Sequence, residues 1–249
     1  MDRRESILTG DVVLFSGNTP TGFLLRTFVS SEWNHSGIAI RFINDKTISL
    51  TEEGELYILE TNTGDRRDDI RGYNIIGAGF SKAEWIFHKY NKVALRRLHN
   101  IFRTNKLTQL TIEFADQYRG HKFPSSSLPF ISVWLGISLT DKDDSTDEMF
   151  CSELMAHYYL YCIGQQYEEI TGVPFDEKLA TLFGNNAPLT EDMFTPGHYT
   201  SVNTPNAAIF STSEEIIYIA HADMLYVILQ PLIIILVIML AIWMSLPKY

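Results

Sequence analysis

Apolar and polar positions run in short strand-like stretches through the first hundred residues and recur at helical spacing after them. The run "GDVVLFSG" (10–17) is apolar and closed by glycine at both ends, which predicts a buried strand. "HSGIAIRFI" predicts a second strand, with His35, Gly37 and Ala39 on one face and Ser36, Ile38 and Ile40 on the other. "ELYILET" (55–61) predicts a third, and the polar loop before it suits an antiparallel neighbour of the second. "GYNIIGAGF" and "KVALRRL" are further strand candidates, and "TPTGFLLRTFVSS", opened by Pro20, predicts a short helix.

From Lys106 the period changes. Leu107, Leu110, Phe114 and Tyr118 recur at helical spacing, and Gly120 stops the run. "HKFPSSSLPF" reads as loop and "DKDDSTDE" as an acidic loop. "CSELMAHYYLYCIG" then predicts a helix beginning at Cys151, with Gly164 as its stop. Residues 184–213 are rich in Pro, Asn, Thr and Ser and predict a loop-rich closing segment and linker. Strands first, with helices later, predict an α+β domain over 1–212, a mostly antiparallel sheet packed on helices.

Residues 224–246 carry no charge. That stretch exceeds the ~20 residues needed to cross a bilayer. A globular helix normally keeps a polar stripe, so apolarity on every face predicts a C-terminal transmembrane helix rather than a core helix. Gln230 and Pro231 near its start are tolerated in a span. The expectation is a tail anchor, with the bilayer itself as a partner.

The net charge of −10 argues against a general nucleic-acid binder, which needs a basic face to displace phosphate counterions. The two cysteines, Cys151 and Cys162, fall on one predicted helix. At roughly 16 Å apart by helical rise they are too far to bridge. Free thiols suit a reducing compartment. The N-terminal stretch lacks the apolar core of a secretory signal, so the folded part is expected in the cytosol, on a viral or host internal membrane.

A thiol becomes a nucleophile when its pKa falls, when a base is within hydrogen-bond reach and when it is partly exposed. Cys151 meets the first condition in part, because unpaired N–H groups and the dipole at a helix start favour a thiolate. Cys162 has no such help. Of the seven histidines, His157 shares the cysteine's helix on another face, His88 and His99 lie in a basic segment, and His121 and His198 fall in loops. His35, at the head of a strand, is the best-placed base, and Glu60, at the end of the next, the best-placed carboxylate to fix its tautomer. A lone buried cysteine as a structural residue, and a strand histidine as a satisfied core residue, explain the same residues without chemistry.

Taken in order, "GDVVLF", "NHSGIAI", "ILET" and "FCSELMAHYY" resemble the circularly permuted branch of the NlpC/P60 papain-like superfamily. That branch holds YiiX-like bacterial hydrolases, related poxviral proteins and, more remotely, enzymes similar to lecithin:retinol acyltransferase. "EFADQYRGHKF" and "PLTEDMFTPGHYTS" look like the segments before the cysteine and at the close of the domain, so the resemblance spans about 7–212. It implies a permuted papain-like fold, with Cys151 as nucleophile, His35 as base and Glu60 as third member. No cofactor is implied. The loops between "ILET" and the central helix match nothing in the family.

The resulting expectation is a membrane-anchored cysteine hydrolase or acyltransferase, acting on an amide or ester of a lipid or acylated protein through a thioester. The alternatives are a catalytically inactive binding module with the same fold and a structural membrane protein of a virus particle. "DKDDSTDEMFCSE" is no EF-hand, since Thr146 and Ser152 occupy its glycine and final glutamate positions. "KYNKVALRRLHNIFRTNK" reads as a solvated basic face, or as a contact for anionic headgroups. No phosphate-binding glycine loop or metal-ligand cluster is visible.

Overall fold

A computed structural model of the chain describes residues 6–17, 31–44, 47–122, 148–176, 178–188 and 194–219. The short helix expected at 19–31, the loops over 123–147 and the uncharged 224–246 stretch fall wholly or mainly outside these residues. Among the described residues no helix is long and apolar enough to cross a membrane.

The alternating runs pair as one antiparallel sheet. Its strands are β1 (Val12–Ser16), β2 (His35–Asn44), β3 (Thr47–Ser49), β4 (Glu55–Arg67), β5 (Asn74–Lys82), β6 (Lys92–Leu98) and β7 (Phe210–Ile219). Their order is β5-β4-β2-β1-β6-β7, with β3 paired to the far end of β2. The helices are α1 (Ala83–Lys89), α2 (Asn105–Gln117), α3 (Cys151–Cys162), α4 (Gly164–Thr171) and α5 (Leu179–Phe183).

The period-2 pattern divides the core into two layers. Val13, Phe15, Ala39, Ile58, Val93 and Leu95 pack on one face of the sheet against Ala83, Ile86 and Phe87 of α1. Val12, Leu14, Ile38, Ile40, Leu59 and Ala94 pack on the other against Leu107, Leu110 and Phe114 of α2 and Leu154, Met155, Tyr158 and Tyr159 of α3. The α+β class and the mostly antiparallel sheet agree with the sequence pattern. Helix α3 is buried on nearly every side, which explains its weak amphipathicity: a helix enclosed by protein needs no polar stripe.

Four features differ from the expectation. Helix α1 follows β5 directly, because Ala83, Ile86 and Phe87 fall on one side of two turns and cover the sheet. Gly164 does not stop a helix but opens α4; a Cβ there would lie 2.5 Å from the Phe175 ring, so the glycine serves close packing. The closing segment ends in a strand, β7, that pairs along β6 and carries the sheet past residue 212 to Ile219. The basic segment is only partly a solvated face. Arg96 is fully buried because β6 lies inside the sheet with both faces covered, and Arg103, five residues past the strand's end, turns inward to the buried Asp11 carboxylate at 2.6 Å.

Candidate active site

The site forms where β2 begins. Strand β1 pairs with β2 so that Phe15 stands opposite His35, and β4 pairs on the other side with Leu59 opposite Ile38. This register puts Glu60 on the face of the sheet that His35 occupies. Gly37 lies between them. A Cβ at Gly37 would sit 2.4 Å from Ile58 Cγ2 and 3.0 Å from the Leu59 carbonyl, so only glycine lets β4 come this close.

The three residues singled out from sequence converge. His35 Nε2 and Glu60 Oε2 form a short buried pair. The Cys151 thiol hydrogen-bonds to the His35 side chain and to the backbone of Ser36, with the Ser36 hydroxyl nearby. Because Glu60 holds Nε2, Nδ1 is the nitrogen left for the sulfur. The thiol therefore rests against the first two residues of β2, with the carboxylate behind the ring.

Electrostatics follow from this contact. For His35, burial acts to lower the pKa, but the charges of Cys151 and Glu60 and hydrogen bonds to both outweigh it and raise it to about 10. For Cys151, burial acts to raise the pKa, but the imidazolium, its hydrogen bond and the two contacts from Ser36 bring it below the ordinary thiol value. The favoured form is a thiolate–imidazolium pair. Among the causes that lower the thiol's pKa, the charge of the His35 imidazolium is the largest. Cys162, eleven residues on in the same helix, has its pKa pushed well up by burial.

Supporting groups hold each member. Ser81 Oγ donates to Glu60 Oε1 at 2.8 Å and occupies the second carboxylate oxygen. The imidazole is the third member of a ring cluster: Tyr90 stacks on it at 5.6 Å with an 8° interplanar angle, Phe15 meets it at 5.6 Å, and Phe15 and Tyr90 meet each other at 4.8 Å. At the start of α3, the Phe150 N–H donates to the Glu153 carboxylate at 3.1 Å, which fixes the first turn. Ser152 Oγ donates to the Phe194 carbonyl at 2.7 Å, and Tyr199 OH donates to the Ser152 carbonyl at 2.6 Å. The residue after the nucleophile candidate is thus tied to the closing segment.

Sequence reasoning missed Ser36, Ser81 and Tyr90. Ser36 carried a signal, since it follows His35 and faces the helix side. Ser81 and Tyr90 carried none, because their approach depends on the β4–β5 register and on where α1 ends. The Ser36 hydroxyl is fully buried and meets no hydrogen-bond partner among the described residues, although it lies close enough to the sulfur to help lower its pKa.

One condition for a nucleophile is met only marginally. Cys151 retains 5% of its surface and His35 7%. The expected partial exposure gives way to a nearly closed thiol, because α3 packs its first turn flat against the strand. Among the described residues no group of three or more His, Cys, Asp or Glu side chains gathers as a metal site would require.

No family model matches the chain. No curated protein matches it either. Among solved structures it is similar to the crystal structure of the metalloprotein YiiX from Escherichia coli O157:H7, with a TM-score of 0.46 and 15% identity over 83% of this chain and 96% of that one.

Proposed function

We propose that the chain is a thiol-dependent hydrolase or acyltransferase of permuted papain-like (NlpC/P60) type. It is tethered to a membrane by residues 224–246 and acts on an amide or ester of a lipid or an acylated protein. The observation that carries this reading is the contact of Cys151 with His35, with Glu60 on the far ring nitrogen.

In this mechanism the Cys151 thiolate attacks the substrate carbonyl carbon and a C–S bond forms. The oxyanion is held by N–H groups of the first turn of α3. As the tetrahedral species collapses, the C–O or C–N bond breaks and His35 gives its proton to the leaving alcohol or amine. The acyl group is then a thioester on Cys151. Water or an acceptor hydroxyl or amine loses a proton to His35 and attacks the thioester carbonyl. The thiolate leaves, and acid or transferred acyl product is released. Glu60 holds the imidazole in the tautomer that both half-reactions use and stabilises its charged form.

The test is an intact-mass measurement after incubation with activated esters of several chain lengths. An acyl adduct should form, map to Cys151, persist in Cys162→Ala and be absent from Cys151→Ala. An adduct that survives in Cys151→Ala overturns the assignment.

The near-closure of the thiol favours a second reading, a binding module that keeps the fold without turnover. That reading expects no adduct with any ester in the folded chain, and Cys151 alkylation only on unfolding.

A further inference from the structure

A hydroxyl that leaves water loses its hydrogen bonds, so a buried one almost always finds a partner in the protein. Among the described residues two do not, Ser36 Oγ and Thr61 Oγ1, and both residues are fully buried. Thr61 stands opposite Ala78, between β4 and the edge strand β5. Ser36 follows His35 and stands opposite Leu14 of β1. Residues directly opposite each other share a face, and the face of Leu14 is the one that α3 covers. The first turn of α3 rests there, with the Cys151 sulfur against the Ser36 backbone and the Ser36 hydroxyl nearby.

Packing gives no reason for this hydroxyl. Ser36→Ala would keep nearly the same volume and leave no buried oxygen without a partner there. Helix α3 brings a second donor to the same place. Its first internal hydrogen bond runs from the Leu154 N–H to the Phe150 carbonyl, so the Cys151 N–H stands ahead of the helix's own ladder. Two donors from different elements, a strand hydroxyl and a helix N–H, therefore adjoin one sulfur.

We infer that the Ser36 hydroxyl is a catalytic donor that, together with the Cys151 N–H, holds the oxyanion formed when the sulfur adds to a carbonyl. This rests on the thiol chemistry of the proposed function and adds to it a side-chain group carried by β2. When the bond from Cys151 Sγ to the carbonyl carbon forms, the carbonyl π pair moves onto oxygen. Ser36 donates a hydrogen bond to that oxygen and keeps its own proton. When the pair returns, the C–O or C–N bond to the leaving group breaks, and the leaving group takes the proton of His35. A carbonyl carbon that reaches the sulfur brings its oxygen near the hydroxyl, because hydroxyl and sulfur are neighbours. The hydroxyl meets no hydrogen-bond partner in the resting protein among the described residues. Its bond to an oxyanion is therefore gained as charge develops and not before, which is the condition for lowering a barrier.

The test compares two reactions of the same sulfur in the full chain carrying Cys162→Ala. p-Nitrophenyl acetate acylates a thiolate through an oxyanion, whereas iodoacetamide alkylates it by direct displacement and forms none. Both rates are followed by intact mass at several pH values, and their ratio at each pH cancels the fraction of thiolate. A hydroxyl that only stabilises the resting sulfur leaves that ratio unmoved. Ser36→Ala should lower the ratio of acylation to alkylation by about 100-fold or more, the range for loss of one oxyanion donor. It should also unfold at or above the temperature of the parent chain, because it removes a buried polar atom that has no partner. An unchanged ratio, or a Ser36→Ala chain that unfolds well below the parent, overturns the inference, while a Cys151 acyl adduct in the parent still upholds the functional reading. A parent chain that forms no acyl adduct on Cys151 overturns both.

Discussion

His35 Nε2 is paired with the Glu60 carboxylate across two adjacent strands, 25 positions apart in sequence. That pairing makes the histidine a candidate base rather than another buried ring. It commits one nitrogen to the acid, turns the other to the sulfur, and supplies part of the field that keeps the ring protonated.

Glu60→Gln removes the charge while keeping the shape. The imidazole loses one of the two charges that raise its pKa, and burial then pulls it down. Acylation of Cys151 at neutral pH should fall by at least about 100-fold, the lower range for loss of general-base function. Thermal unfolding measured on the same sample separates this from loss of fold. Ser81→Ala removes only the 2.8 Å donor to Glu60 and should cost about 1 kcal/mol, close to tenfold or less in rate.

Gly37→Ala tests the close approach that brings Glu60 to His35. The added methyl would meet Ile58 Cγ2 at 2.4 Å. Overpacking of this kind costs about 1–3 kcal/mol. Urea unfolding should show that loss, and acylation should fall as β4 is displaced. Gly37→Ala with Ile58→Val should recover part of both.

Arg96 is the largest fully buried cation and ties β6 to the closing segment. It donates to the carbonyls of Tyr199, Thr200 and Thr204, to Thr204 Oγ1 and to the carbonyl of Ser211. Tyr199 in turn reaches the Ser152 carbonyl. Arg96→Met leaves those acceptors buried without donors and should lower unfolding free energy by about 1–3 kcal/mol or more, the penalty for a buried polar group left unsatisfied. Arg96→Lys should recover little, because an ammonium cannot present the planar fork of donors that these carbonyls meet. Denaturant titration gives both values.

Much of this arrangement was legible in the chain. The glycine-bounded and alternating runs marked β1, β2 and the start of β4, and His35 and Glu60 fell on them at positions that antiparallel pairing brings together. Cys151 was readable as a helix start because an acidic loop meets an apolar run there. Strand β7 was not readable, because "FSTSEEIIYI" follows loop-like sequence and its strand character depends on β6 lying beside it. Helix α1 was too short for its period to show. Ser81 and Tyr90 reach the site through register and ring packing, which local sequence does not encode. The inward turn of Arg96 and Arg103 was hidden because a basic run normally signals a solvated face; here Arg96 lies on a strand between two others and Arg103 meets a buried carboxylate.

A pH titration of the Cys151 thiolate by its ultraviolet absorbance, with Cys162→Ala as the working background, addresses the central claim most directly. The folded thiol pKa is lowered, so thiolate should form at lower pH than in an ordinary cysteine and should disappear only as pH falls through that lowered value. The imidazolium should persist until pH rises toward about 10, so the ion pair should be present between the lowered thiol value and that pH. In His35→Gln the burial contribution is left without the opposing charge, and the titration should move above the free-cysteine value. A wild-type thiol that titrates at or above the ordinary value, with no change in His35→Gln, would contradict the account.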